Sequence, residues 1–171
     1  SIQLSWSSST GAASYQIEQR SEFDSDWTLA ATTGGAATSY TITGLQAGGA
    51  QYSFRVSAVS TDGFASPTST VVAARTQNFA PIFAVLPTAG SGLVTGSSTS
   101  LSAYGTDDAN DSDLVYTWAV LSGPGNGTAG FSENESYAAQ YTSATFTRAG
   151  NYVLGVSVQD RLGLTVFGTV A

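Results

Sequence analysis

Residues Thr38 to Val59 read TSYTITGLQAGGAQYSFRVSAV, and this stretch decides the fold. Tyr40 and Ile42 alternate with Thr41 and Thr43. After Gly44-Leu45 and the pair Gly48-Gly49, Tyr52, Phe54, Val56 and Ala58 alternate with Ser53, Arg55 and Ser57. A period of two sends successive side chains to opposite faces of a strand, so each segment has one apolar and one wet face. Two such segments around a glycine turn predict antiparallel strands stacked on another sheet.

The same signal extends in both directions. Upstream, Ile2, Leu4 and Trp6 alternate with Gln3 and Ser5, Tyr15 and Ile17 with Gln16 and Glu18, and Trp27 to Thr33 forms a weaker stripe. Thr68 to Thr76 closes the first set. Downstream, Leu101 and Ala103 follow a Ser/Thr/Gly stretch. Leu114, Tyr116, Trp118 and Val120 alternate, Phe146 sits in ATFTRAG, and Tyr152, Leu154, Val156 and Val158 alternate. Leu164 and Val166 begin a last strand. No segment holds a 3.6-residue apolar period for three turns. The expected fold class is all-β, two tandem immunoglobulin-like β-sandwiches, with domains at 1–76 and 82–171 and a short joint of limited freedom, QNFAP, at 77–81.

Residues 1–76 resemble a fibronectin type III domain. The resemblance rests on the tryptophan of IQLSW, on TSYTITGL and on Tyr52, which matches the tyrosine whose hydroxyl ties down a corner in that family. Two departures predict a looser corner: Ala47 stands where the family usually has proline, and Gly48-Gly49 lengthens the span from Leu45 to Tyr52. Ile2 already matches the family's second strand, so upstream sequence or another chain is expected to cover that edge. Residues 80–171 resemble the polycystic-kidney-disease-like and cadherin-like immunoglobulin-type domains of bacterial surface proteins, through LVYTWAV, FTRAGNY and VSVQD followed by a glycine turn.

The chain has 171 residues, of which 10 % are charged, and a net charge of −7. All five positive charges are arginine, and lysine, histidine, cysteine and methionine are absent. The negative balance argues against nucleic acid, which needs basic patches. No apolar run reaches the length of a membrane helix, so no membrane insertion is expected. Without cysteine there are no disulfides or thiolate metal sites, and without histidine or cysteine no Ser/His or Cys/His nucleophile system. The chain begins with Ser1, so it reads as a mature protein or an excised piece. Low charge, high Ser/Thr content and an acidic balance suit a secreted β-protein. Sequons occur at Asn110, Asn126 and Asn134.

The acids are not spread evenly. The second half holds seven carboxylates against two arginines, a net of −5, whereas the first half nets −2. Asp107, Asp108, Asn110, Asp111 and Asp113 crowd the loop before LVYTWAV, and Asp160 ends the strand VSVQD. In an immunoglobulin-like sandwich these two places approach one pole. Calcium takes six to eight oxygens at about 2.3–2.6 Å, so the candidate metal set is Asp107, Asp108, Asn110, Asp111, Asp113 and Asp160. The spacing is not an EF-hand, since Asp113 and Ala119 stand where Gly and Glu are required. The other reading is a solvated acidic loop, and sequence leaves both open.

Trp6 and Trp118 are in phase with core stripes. Trp27, near Phe23, Asp24 and Asp26, reads either as packed on the sandwich or as a ring free to stack on a sugar. Glu133 and Glu135 are two apart and would share a strand face, but FSENES shows no aromatic pocket for glycoside hydrolysis. The expected role is non-catalytic: an extracellular or cell-surface stalk, spacer or adhesive assembly unit. Its expected partners are neighbouring domains, copies of the same protein, or surface and polysaccharide ligands. The alternative, implied by the resemblances, is an accessory module of a secreted polysaccharide-degrading enzyme.

Overall fold

In the computed structural model, which describes all 171 residues, the chain divides into two compact units, Ser1–Gln77 and Asn78–Ala171. Both are built almost wholly of strands, the two immunoglobulin-like sandwiches expected.

The first unit contains β1 (Ile2–Ser5), β2 (Ser14–Ser21), β3 (Thr28–Gly34), β4 (Ser39–Ile42), β5 (Gln51–Val59) and β6 (Val72–Arg75). One sheet is the pair β1-β4 and the other has the order β3-β2-β5-β6. The apolar stripes meet between them, with Ile2, Leu4, Ile17, Ile42, Tyr52 and Phe54 buried in one core and Trp6 packed at its margin. The corner forms despite its departures: the Gln46 N–H donates to Tyr52 Oη at 3.0 Å. The added length is absorbed by Gly48 and Gly49, both left-handed at φ 71° and 70°, where a side chain would be strained.

β1 pairs on one side only. Trp6 N–H donates to Thr38 O, and Leu4 and Ile2 lie opposite Tyr40 and Ile42. Alternation in an antiparallel ladder therefore turns the backbone groups of Gln3 and Ser5 outward. The final strand is shorter than the expected Thr68–Thr76. Pro67 has no N–H to offer a ladder, and along β5 serine side chains supplement the main chain. Ser69 Oγ accepts from Val56 N–H at 3.1 Å and Ser66 Oγ from Ala58 N–H at 3.0 Å.

The second unit contains β7 (Ile82–Ala89), β8 (Ser98–Thr106), β9 (Val115–Ser122), β10 (Ala129–Phe131), β11 (Tyr141–Phe146), β12 (Val153–Gln159) and β13 (Thr165–Val170). Its sheets have the orders β10-β11-β8-β7 and β13-β12-β9. Leu101, Leu114, Tyr116, Trp118, Leu154, Val156 and Val158 form the core. Its two large polar-tipped rings are satisfied inside it. Trp118 Nε1–H donates to Ala139 O at 2.8 Å, and Tyr116 Oη accepts from Gly105 N–H at 2.8 Å. The joint residues are shared out. Gln77 O accepts from Gly49 N–H in the first unit, whereas Asn78 and Phe79 bond within the second and Pro81 is buried there.

Candidate metal centre in the second unit

The acidic loop runs from the end of β8 to the start of β9, and much of its crowding is used to shape itself. Asn110 caps the short 3-10 turn Asp111–Asp113, its Oδ1 accepting from Ser112 N–H at 3.4 Å. Asp111 Oδ1 accepts from Asp107 N–H at 2.9 Å, and Asp107 Oδ2 from Ala109 N–H at 3.4 Å. Short acidic side chains favour such local bonds because they mimic a backbone turn. Asp113 is exposed.

Asp160 ends β12 and is 5 % exposed. Its Oδ1 accepts from Leu162 N–H at 2.8 Å and Leu164 N–H at 2.9 Å, and its Oδ2 accepts from Asn78 Nδ2 at 2.7 Å. It therefore organises the β12–β13 turn and fastens the residue that opens the unit. Asp108 Oδ1 accepts from the neighbouring Phe79 N–H at 3.2 Å. Loop, turn and entering chain thus converge on one pole.

Two acceptors there have no donor: Asp107 Oδ1 and Asn78 Oδ1 are both buried and unpartnered. The Asp107 carboxyl is pushed above the ordinary carboxylate range, chiefly by burial. The N–H groups of Asp108 and Ala109 partly offset this, and the charges of Asp108 and Asp160 add to it. A buried charge without a partner is costly, and a cation bound at Asp107 Oδ1 would remove the cost.

The donor chemistry fits a hard, oxygen-seeking cation: Asp107 and Asn78 supply open oxygens. No three carboxylate, histidine or cysteine side chains are grouped as metal ligands, so water and carbonyl oxygens would have to complete a calcium shell. Of the six residues named from sequence, Asp107, Asp108 and Asp160 lie toward the same pole without closing into a three-carboxylate group. Asn110 and Asp111 each commit an oxygen to the turn, and Asp113 stands in solvent. Asn78 is the residue sequence reasoning missed. An asparagine in a joint carries no signal until Asp160 is seen to hold it.

The other candidates resolve simply. Trp27 is half-buried, with the Arg20 and Arg55 guanidiniums over its ring at 5.1 and 4.4 Å. Arg55 is also forked onto Glu18 at 2.7 and 3.2 Å. The ring is therefore occupied by cations rather than free for a sugar. Glu133 and Glu135 do not share a strand face. Both are exposed in the irregular segment after β10, and Glu135 has φ 55°.

Comparison with known proteins agrees with the first unit. Residues 1–75 match the family model described as Fibronectin type III domain, so the first unit is a domain of that kind, a class that is typically non-catalytic and structural or adhesive. Among solved structures, the chain aligns with the crystal structure of chicken CNTN1 FN1-FN3 domains at 19 % identity and a TM-score of 0.40. The alignment covers 99 % of this chain and 61 % of that one. The chain therefore spans less than two thirds of that structure's length. No curated protein matches it.

Proposed function

We propose that this chain is a stalk, spacer or assembly segment of a larger extracellular or cell-surface protein, and that calcium stiffens its second unit. The fibronectin type III match of residues 1–75 supports a structural or adhesive module. The second unit is read as a polycystic-kidney-disease-like or cadherin-like domain on the motifs of its strands. Partners on this reading are neighbouring domains and copies of the same chain, for which the outward edge of β1 offers unpaired backbone groups.

The observation that carries the calcium reading is the pair of buried, donorless oxygens, Asp107 Oδ1 and Asn78 Oδ1, beside the buried Asp160. Calcium's role there is structural, tying the β8–β9 loop to the β12–β13 turn and to the entering chain. The test is thermal unfolding in 1 mM calcium and in excess EDTA. A site held at about 100 times its dissociation constant adds roughly 2.7 kcal/mol, which is a rise of several degrees for a domain of this size. The shift should belong to the second unit and disappear in Asn78→Ala and Asp107→Asn. Coincident curves would leave the acids as a solvated loop.

A further inference from the structure

The outer face of the sheet β10-β11-β8-β7 carries a second feature. On β8, Leu101 and Ala103 face the core, so Ser100 and Ser102 face outward. Tyr141 lies opposite Ser102 and Ser143 opposite Ser100, with Thr88 of β7 across from Ser102. These side chains and Gly90 line a shallow depression of about 430 Å³. Gly90 keeps it open, because a Cβ there would run into Ser100 Oγ. Tyr141 is 66 % exposed at the start of β11, where β8 lies on one side and β10, which pairs only with Ala144–Phe146, does not reach.

None of these six residues is charged, in a half of the chain that nets −5. Thr88 and Ser102 hydroxyls bond each other at 3.0 Å. The hydroxyls of Ser100, Ser143 and Tyr141 have no partner in the fold and keep a donor and acceptor capacity free. A broad ring left in water beside uncommitted hydroxyls and no charge is complementary to a flat polyol with apolar C–H faces. Tyrosine suits such a place because it joins an apolar body to a polar tip. An acidic ligand would meet no cation in the depression.

We propose that this depression is a subsite for a neutral pyranose of a polysaccharide, the sugar lying on the Tyr141 ring and bonding the hydroxyls of Ser100, Ser102 and Ser143. The site is independent of Trp27, of calcium and of the stalk role.

The test is affinity electrophoresis of the whole chain through gels containing hydroxyethyl cellulose, xylan, galactomannan or mixed-linkage β-glucan, with hyaluronan as the anionic control. At least one neutral polymer should retard the chain and hyaluronan should not. Tyr141→Ala should weaken retardation by about tenfold, a typical loss for one good aromatic contact. Tyr141→Trp should keep it, Ser100→Ala should reduce it, and Phe64→Ala, at an exposed ring of the first unit, should leave it unchanged. The exposed position of Tyr141 means these variants should melt like the parent. Passage through all four neutral gels without retardation overturns the proposal, as does retardation that survives Tyr141→Ala or that is strongest on hyaluronan.

Discussion

Asp107 shows how one carboxylate can couple pH, metal and stability. Its folded pKa lies above its ordinary value of 3.8, with burial the main cause. Folding therefore favours the protonated form. The stabilising contribution is complete below the unfolded value and is lost as pH rises through the folded one, leaving a buried charge at neutral pH. In EDTA at pH 7, Asp107→Asn should melt no lower than the parent, and its relative advantage should fade toward pH 4. In calcium the order should reverse, because a charged carboxylate binds the ion far more tightly than a neutral amide. Paired melting curves across pH decide it, and a mutant that is less stable in EDTA at pH 7 contradicts it. Asn134 gives a second prediction at this scale. Its amide acts as a missing strand residue: Oδ1 accepts from Trp118 N–H at 2.7 Å and Nδ2 donates to Trp118 O at 3.0 Å. Asn134→Ala would orphan both backbone groups, at about 1–3 kcal/mol each, which calorimetry would read as a large drop in melting temperature. In a glycosylating host, peptide mapping should find Asn134 unmodified, since its Nδ2 is committed. The crowded aspartates were visible in sequence because acids stand out in a charge-poor chain. The duties of Asn78 and Asn134 were not, because an amide acquires a role only when a distant backbone or carboxylate meets it.

The elements were legible where they alternate. β5, β9 and β12 fall on the stripes read from sequence because each lies with one face on a core. β7 was not foreseen. Its run IFAVLP is apolar without alternation and contains Pro87, which argues against a strand interior. The structure makes it an edge strand with register shifts around Val85, where irregular pairing lets proline stand. β7 lies against β13, and the contact depends on a glycine. A Cβ on Gly168 would come 2.7 Å from Pro87 Cγ and 2.9 Å from Phe83 Cε2. Gly168→Ala should therefore push β7 outward and cost about 1–3 kcal/mol, the usual penalty for overfilling a tight contact. Gly130→Ala in β10 is the control, since a Cβ there meets nothing within 4 Å. Denaturant melts of the two variants should separate clearly. Equal midpoints would mean that β7 yields freely.

At the scale of the molecule, each unit has its own core, so each should fold alone. The sequence suggested a joint at 77–81, whereas the compact units meet at Gln77 and Asn78; which side owns these residues depends on bonds made far along the chain. Asn78 donates to Asp160, eighty-two positions on, and Phe79 N–H donates to Asp108. A fragment 78–171 retains these bonds and both donorless oxygens. A fragment 82–171 loses Asn78, Phe79 and the buried Pro81, and it leaves Asp160 Oδ2 and Asp108 Oδ1 without those donors. Two hydrogen bonds to charged groups, at about 1.5–3 kcal/mol each, are a large share of the roughly 5–15 kcal/mol that holds a domain together. Fragment 78–171 should therefore melt like the second unit of the whole chain and respond to calcium as it does. Fragment 82–171 should melt well below it with little calcium response, while fragment 1–77 should melt without any. Circular dichroism melts of the three fragments with calcium and with EDTA make the comparison. Equal stability and equal calcium response of the two longer-tailed and shorter-tailed second units would show that the entering chain is not a part of the pole.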